Sequence, residues 1–225
     1  MQNPENPNKA YKTINTLEGV SKRKMTYKLC LKVVSGNGQE LKNVPPHLCD
    51  RQMCLTAVKN NARAIQYIPN DLFTMRLAFE LVKINKEAIK FIPEPFNTKL
   101  LYATAVELHE GILNLIPDNY RSYELYLIAT KAHGMDLSLV PEEYKTYEMC
   151  LAAVRQNGLS IVFVPEKYLT VELCIFSLKT GSLSLVPSSI RSSKQFIKAL
   201  KQLKAQKKAS KHSSGNDADE DEINL

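Results

Sequence analysis

The sequence predicts an all-α protein, a right-handed α-solenoid of about seven short helix-turn-helix repeats with a C-terminal capping helix. The first observation is a set of prolines that recur every 24 residues, with a last interval of 22: Pro45, Pro69, Pro93, Pro117, Pro141, Pro165 and Pro187. The second is an N-cap residue five positions after each proline, and the third is an apolar stripe that follows. Self-similarity at such a period indicates a repeat array, in which each unit packs on its neighbours.

Each repeat is expected to begin an α-helix at its N-cap. Seven residues follow the prolines in this way, and an eighth, Thr26, follows Ser21, which stands where the proline would be: Thr26, Asp50, Thr74, Thr98, Ser122, Thr146, Thr170 and Ser192. Their side-chain oxygens can accept a hydrogen bond from a free N–H of the first turn. We number positions as offsets from this N-cap. Offsets 3, 4, 7 and 8 are apolar almost throughout, as in Met149, Cys150, Ala153 and Val154, which predicts a helix of about three turns with one buried face.

The end of each helix is marked by residues that tolerate a left-handed C-cap. They are Gly134, Gly158, Gly181, Asn61 and Asn85. The segment that follows is compatible with a short helix or a short strand, and a strand would give a leucine-rich-repeat horseshoe. The helix is favoured, because Ile65, Ile68 and Leu72 form an i, i+3, i+7 line and no regular asparagine ladder is present.

Four of the five cysteines share offset 4, namely Cys30, Cys54, Cys150 and Cys174. Neighbouring α-helices pack about 8 to 10 Å apart, beyond the reach of a disulfide, so these are expected to be buried free thiols. Cys49 lies outside this register, just before a helix start, and is expected to be more exposed.

The segment KTYEMCLAAVRQNGLSIVFVPEKYLTVELC, residues 145–174, resembles a family of short helical repeats catalogued as a bacterial domain of unknown function. Units of that family read much like "elcLaAVkqnGlaLkyVPeelkt". The resemblance covers residues 20–196, most closely residues 45–69 and 141–175. It implies no catalytic residues, and it implies a kinship with proteins that intracellular bacteria use against their hosts.

The central repeats depart from this pattern and supply the candidate partner-binding residues. These are Tyr123, Tyr147, His109, His133 and Asp136. Tyrosine offers a large amphipathic contact area. Tyr102 and Tyr126 occupy offset 4 and are expected to fill the core instead. His109 and His133 share one register, and a pair of structural turn residues is favoured there over a metal site.

Enzyme motifs are missing from the sequence. It has no glycine-rich phosphate loop, no GxSxG elbow and no CxxC or HExxH spacing. We therefore expect no catalytic residues, no cofactor and no metal. The expected function is that of a non-catalytic scaffold for protein–protein interaction.

The repeats of residues 20–190 are followed by a basic capping helix, residues 191–211. One apolar stripe should cover the last repeat, formed by Phe196, Ile197, Leu200 and Leu203. A basic patch covers the rest: Lys194, Lys198, Lys201, Lys204 and Lys208. This patch carries the alternative function, binding of nucleic acid or of an anionic membrane.

Two polar segments flank the folded part, an N-terminal extension of residues 1–19 and an acidic tail of residues 212–225. The tail is expected to be disordered. It resembles the translocation signals of type IV secreted effectors in Asp219, Glu220, Asp221, Glu222, Ile223 and Leu225. No apolar run is long enough to span a membrane. The expected route is synthesis in a bacterial cytoplasm and secretion into the cytoplasm of a host cell.

Overall fold

The structure is a computed structural model that describes residues 15–178 and 183–213. Over these residues the chain is all-helical and has no β-strand. The α-helices are α1 Tyr27–Gly36, α2 Arg51–Asn60, α3 Met75–Ile84, α4 Lys99–Leu108, α5 Tyr123–Ala132, α6 Tyr147–Gln156, α7 Val171–Ser177, α8 Ser188–Arg191 and α9 Lys194–Ser213. The class predicted from the periodic apolar stripe is therefore confirmed.

The segment after each of the first six α-helices is a short 3₁₀ helix rather than a strand. These segments are Gly38–Asn43, Ala62–Tyr67, Lys86–Lys90, Ile112–Leu115, Gly134–Leu139 and Gly158–Phe163. Further single turns of 3₁₀ helix are Lys22–Lys24, Pro46–Leu48, Asp118–Tyr120, Glu142–Tyr144, Glu166–Tyr168 and Leu183–Leu185. A horseshoe of leucine-rich repeats is thereby excluded for the described residues.

Each repeating proline opens a turn. The carbonyl of Pro45 accepts the N–H of Leu48, and the other six prolines accept the N–H three residues on in the same way. Proline fixes φ near −65°, which suits the first residue of such a turn. The turn delivers the chain to the next N-cap two residues later, so the proline period sets the period of the helices.

Seven of the eight predicted N-caps are observed. The side-chain oxygens of the N-cap residues from Thr26 to Thr170 each accept the backbone N–H at offset 3. The eighth prediction is wrong by one residue. Ser193 Oγ accepts the N–H of Phe196 at 3.2 Å, whereas Ser192 ends α8. The last interval between prolines is two residues shorter, and α8 replaces the usual turn there.

The predicted left-handed C-caps are also wrong at the described positions, while Gly181 lies outside the described residues. The residue that ends α2 is Asn61, with φ of −148°, and the corresponding residues of α1, α3, α4, α5 and α6 are extended too. Asn61 caps the following 3₁₀ segment instead, because its Oδ1 accepts the N–H of Arg63 at 3.0 Å. Gly134 follows the residue that ends α5, and close packing explains the glycine there rather than a left-handed turn. A Cβ there would clash with the carbonyl oxygen of Ala153 in the next repeat.

Two rows of contacts join successive repeats. Each α-helix from α1 to α6 packs against the next, and the 3₁₀ segments pack in the same order. One continuous core runs between the two rows. The residues at offsets 3, 4, 7 and 8 of α1 to α6 are buried, as predicted. The right-handed solenoid itself stays a prediction.

The burial of the cysteines agrees with the prediction at four positions and differs at one. Cys30, Cys54, Cys150 and Cys174 are buried free thiols, as expected. Cys49 is also buried, with only 9% of its surface exposed, so its expected exposure is wrong. The side chain turns back onto α2, where its sulfur contacts Cys54.

Long apolar helices are absent from the described part of the chain. None of its helices has the length and hydropathy needed to cross a bilayer.

Candidate interaction face

Tyr123 and Tyr147 tie each repeat to the N-cap of the next. The Tyr123 hydroxyl lies 3.3 Å from Oγ1 of Thr146. The Tyr147 hydroxyl donates to Glu172 Oε2 at 3.3 Å. Both rings are half-buried and pack against the core. These two candidate residues therefore have a structural role in the fold, and partner binding by them stays a prediction.

His109 and His133 also connect repeats. The Nε2–H of His109 donates to the carbonyl of Val82 at 2.8 Å, and that of His133 donates to the carbonyl of Glu107 at 3.1 Å. These carbonyls lie near the C-terminus of the preceding α-helix, where the last backbone acceptors lack a partner within the helix. These hydrogen bonds give both histidines a structural role between repeats, and partner binding by them stays a prediction. No group of ligands that could hold a metal occurs among the described residues.

Asp136 is 1% exposed, so the expectation that it faces a partner is wrong. Its Oδ1 accepts the N–H of Gly111 at 2.8 Å, while its buried Oδ2 has no hydrogen-bond partner. Burial raises the pKa of this carboxyl above its usual range, although the hydrogen bond from Gly111 opposes the shift. The Asp136 side chain therefore connects two repeats and does not form part of the surface.

The two tyrosines assigned to the core are placed as predicted. Tyr102 and Tyr126 are buried. Each ring packs against a tyrosine that stands 18 residues later, with centroid separations of 4.6 Å to Tyr120 and 5.1 Å to Tyr144. Tilted aromatic pairs are a favourable packing geometry. The two tyrosine rings occupy the core position that holds Cys or Ala in the other repeats.

The basic patch lies on α9. Lys194, Lys198, Lys201 and Lys204 are exposed, while Lys208 falls on α9 outside the described side chains. The predicted apolar stripe holds for Phe196, which is buried, and α9 packs against α7 and α8. It fails for Ile197, which is 43% exposed and lines a shallow groove with three of the lysines.

The outward side of the α-helices carries a feature that the sequence reasoning missed. Offset 5 is apolar and half-buried in every repeat, and we call this row the apolar ribbon: Leu31, Leu55, Phe79, Ala103, Leu127, Leu151 and Ile175. Offset 5 lies outside the core stripe of offsets 3, 4, 7 and 8, so a helical pattern alone predicts a polar surface there. The signal that could have found it is its repetition at one position in all seven repeats.

An open groove adjoins the ribbon in the first half of the chain. Leu55 and Ile84 line an open groove across α1, α2 and α3, together with polar groups such as Lys59 and Asn60. On the neighbouring helix, Leu100 is 67% exposed and Leu108 is 42% exposed. Large exposed aliphatic side chains that cluster on one side of a protein mark a surface that can bind another molecule.

The comparisons with known proteins give a match to a family whose function is unknown. A family described as Domain of unknown function (DUF4116) matches residues 27–73, which hold α1, α2 and their 3₁₀ segments. This stretch includes residues 45–69, one of the two segments in which the family resemblance was strongest. The chain has no match among curated proteins and none among solved structures.

Proposed function

We propose that the repeats form a right-handed α-solenoid that acts as a non-catalytic scaffold and binds another protein along the apolar ribbon. The observation that carries this proposal is the repetition of a half-buried apolar residue at offset 5 in all seven repeats. One side of each residue packs on the protein and the other faces solvent. In a repeat array, such a surface extends continuously along the stacked units.

The charged residues beside the ribbon indicate that a partner would bind in one orientation. Offset 2 holds Lys28 in α1 and Arg76 in α3, but Glu124, Glu148 and Glu172 in α5, α6 and α7. All five are exposed. Charge complementarity fixes register and orientation more than it adds affinity. A partner that lies along the ribbon would therefore present acidic groups to α1–α3 and basic groups to α5–α7.

The test changes half-buried residues of the ribbon and leaves the buried core unchanged. A triple variant carries Leu31→Gln, Leu55→Gln and Leu127→Gln, all in the ribbon. The matched control carries Leu115→Gln, Leu139→Gln and Phe163→Gln, which are half-buried on the 3₁₀ segments. Each change is expected to cost about 1 kcal/mol, as for a typical point substitution, and circular dichroism confirms that both variants are folded.

Both variants and the unchanged protein are used to capture partners from host-cell lysate, with identification by mass spectrometry. The proposal expects one partner that the unchanged protein and the control retain and that the triple variant loses. A partner retained by the triple variant, or lost equally by both variants, contradicts binding through the ribbon.

A second candidate function rests on Ile197. This exposed apolar side chain lies among Lys194, Lys198 and Lys201 on α9, an arrangement that suits a helix bound to an anionic membrane surface. Sedimentation with anionic vesicles, and separately with RNA, tests it. Salt-dependent binding that disappears when these three lysines and Lys204 become Glu supports this candidate, and equal binding by both proteins rejects it.

We also propose that the chain is a bacterial effector delivered into host cells by type IV secretion. The support is the sequence of residues 219–225, an acidic cluster upstream of Ile223 and Leu225, which lies outside the described residues. A translocation reporter is fused to the full chain and to a chain without residues 213–225. Delivery should be lost while the melting temperature changes by about 1 to 2 °C or less. Equal delivery of both fusions rejects the signal.

A further inference from the structure

The two sulfurs of Cys49 and Cys54 lie 3.8 Å apart in the core of the first repeats. Cys54 is fully buried in α2, and Cys49 keeps 9% of its surface exposed. A disulfide bond is about 2.0 Å long, so the sulfurs must approach by only about 1.8 Å to become bonded. Both side chains are free thiols in this structure.

This pairing depends on the repeat register. Cys49 stands at offset 23 of one repeat and Cys54 at offset 4 of the next, so the five-residue spacing recurs along the chain. The other repeats place different residues there: Phe73 with Ala78, Asn97 with Tyr102, Arg121 with Tyr126, Lys145 with Cys150 and Leu169 with Cys174. Cys150 and Cys174 are therefore buried thiols in the same setting but without a second thiol at this position. They serve as internal controls.

The two thiols differ in their acidity. The hydrogen bond from Cys54 lowers the pKa of Cys49, against the opposing effects of burial and of Asp50 and Asp71. The same contact and burial together raise the pKa of Cys54. The thiolate is the reactive form of cysteine, and Cys49, although buried, keeps a small exposed surface that Cys54 lacks. This assigns Cys49 as the attacking sulfur and Cys54 as the resolving sulfur.

We propose that Cys49 and Cys54 form a redox site that reacts with hydrogen peroxide and closes reversibly to a disulfide. In the first step the Cys49 thiolate attacks one peroxide oxygen. An S–O bond forms, the O–O bond breaks, and the departing hydroxide takes the proton released by Cys49 and leaves as water. The product is a sulfenic acid on Cys49.

In the second step the sulfur of Cys54 attacks the sulfur of Cys49. The S–S bond forms, the S–O bond breaks, and the hydroxide leaves as a second water with the proton of the Cys54 thiol. Two thiols and one peroxide thus give one disulfide and two waters, with two electrons passed from sulfur to oxygen. A dithiol reductant reverses the reaction by exchange.

The experiment treats the full-length reduced protein with a concentration series of hydrogen peroxide. Thiols are then counted under denaturing conditions, with and without later reduction by dithiothreitol, and peptides are mapped by mass spectrometry. The controls use residues that other repeats already hold at these positions. Cys49→Leu reproduces the pair Leu169 with Cys174, and Cys54→Ala introduces the residue that Ala78 supplies at the same offset. Far-ultraviolet circular dichroism confirms that each variant is folded.

The unchanged protein, which has five thiols, should fall to three. Dithiothreitol should restore five, and mapping should join Cys49 to Cys54 while Cys150 and Cys174 stay free. Each variant should keep its four thiols at the same dose. The inference is overturned if the unchanged protein keeps five thiols where a small dithiol peptide is oxidised. It is also overturned if the variants lose thiols as readily, or if the mapped bonds join separate molecules.

Discussion

Glu40 and Asp136 stand at the same position, offset 14, in two repeats, yet neutralising them should change stability in opposite directions. The carboxylate of Glu40 is buried and accepts three hydrogen bonds. Its Oε2 accepts the N–H of Leu17 at 2.8 Å and Nδ2 of Asn43 at 3.0 Å, and its Oε1 accepts the hydroxyl of Thr16 at 3.0 Å. Asp136 accepts one hydrogen bond and leaves its second oxygen without a partner.

The substitution Glu40→Gln replaces one acceptor oxygen by a donor NH₂ group. The NH₂ group then faces the two donors that form hydrogen bonds to Oε2 in the unchanged protein. About one to two hydrogen bonds to a charged acceptor are therefore lost. Each contributes about 1.5 to 3 kcal/mol, and we expect a loss of about 2 to 4 kcal/mol at neutral pH. The substitution Asp136→Asn keeps the acceptor for Gly111 and removes a buried charge. Its expected effect lies between zero and a gain of about 1 kcal/mol.

The pH dependence separates the two carboxyls further. Burial would raise the pKa of Glu40, but the hydrogen bonds from Asn43, Leu17 and Thr16 outweigh it and the pKa is lowered. Its stabilising contribution is therefore present above the unfolded pKa of about 4.3 and is lost as pH falls through the lower folded value. The pKa of Asp136 is raised. Its contribution is present below the unfolded pKa of about 3.9 and is lost as pH rises through the folded value.

Urea unfolding followed by circular dichroism between about pH 3 and pH 7 measures both effects, with the linear extrapolation of the unfolding free energy. The deficit of Glu40→Gln should shrink on acidification, and any gain of Asp136→Asn should also shrink. A deficit of Glu40→Gln that is the same at both ends of the pH range would falsify the hydrogen-bond argument. A loss above about 1 kcal/mol for Asp136→Asn at pH 7 would contradict the account of its unpaired oxygen.

Two further pairs of substitutions test the geometry of the repeats by the same unfolding measurement. Gly38→Ala should cost about 1 to 3 kcal/mol by overpacking, because a Cβ there would clash with the Ala57 carbonyl, whereas Gly36→Ala meets no atom within 4 Å and should be neutral or stabilising by up to about 1 kcal/mol. Similar values for both glycines would reject the close-approach explanation. Ser193→Ala removes the N-cap of α9 and should cost about 0.5 to 2 kcal/mol, while Ser192→Ala should stay within about 0.5 kcal/mol. The reverse ranking would show that α9 begins one residue earlier.

The sequence determined those features that depend on short-range order. The N-cap at Thr146 and the buried stripe from Met149 to Val154 follow from side chains and backbone within three turns of one helix. Because the same pattern recurs seven times, each weak local signal was confirmed by the others. The helical class, the helix starts and the core positions could therefore be predicted without the structure.

The features that the sequence did not predict depend on contacts between repeats. These contacts join residues 22 to 27 positions apart in the chain, and a local sequence pattern carries no information on the distance between such residues. Gly134 follows from the close approach of the Ala153 carbonyl, not from a left-handed turn. Asp136 is buried because it reaches back to Gly111 of the preceding repeat. Cys49 is buried because the turn before α2 folds its side chain onto Cys54. Short-range preferences act within one helix, whereas burial and proximity are set by how the helices stack, and only the tertiary structure supplies that stacking.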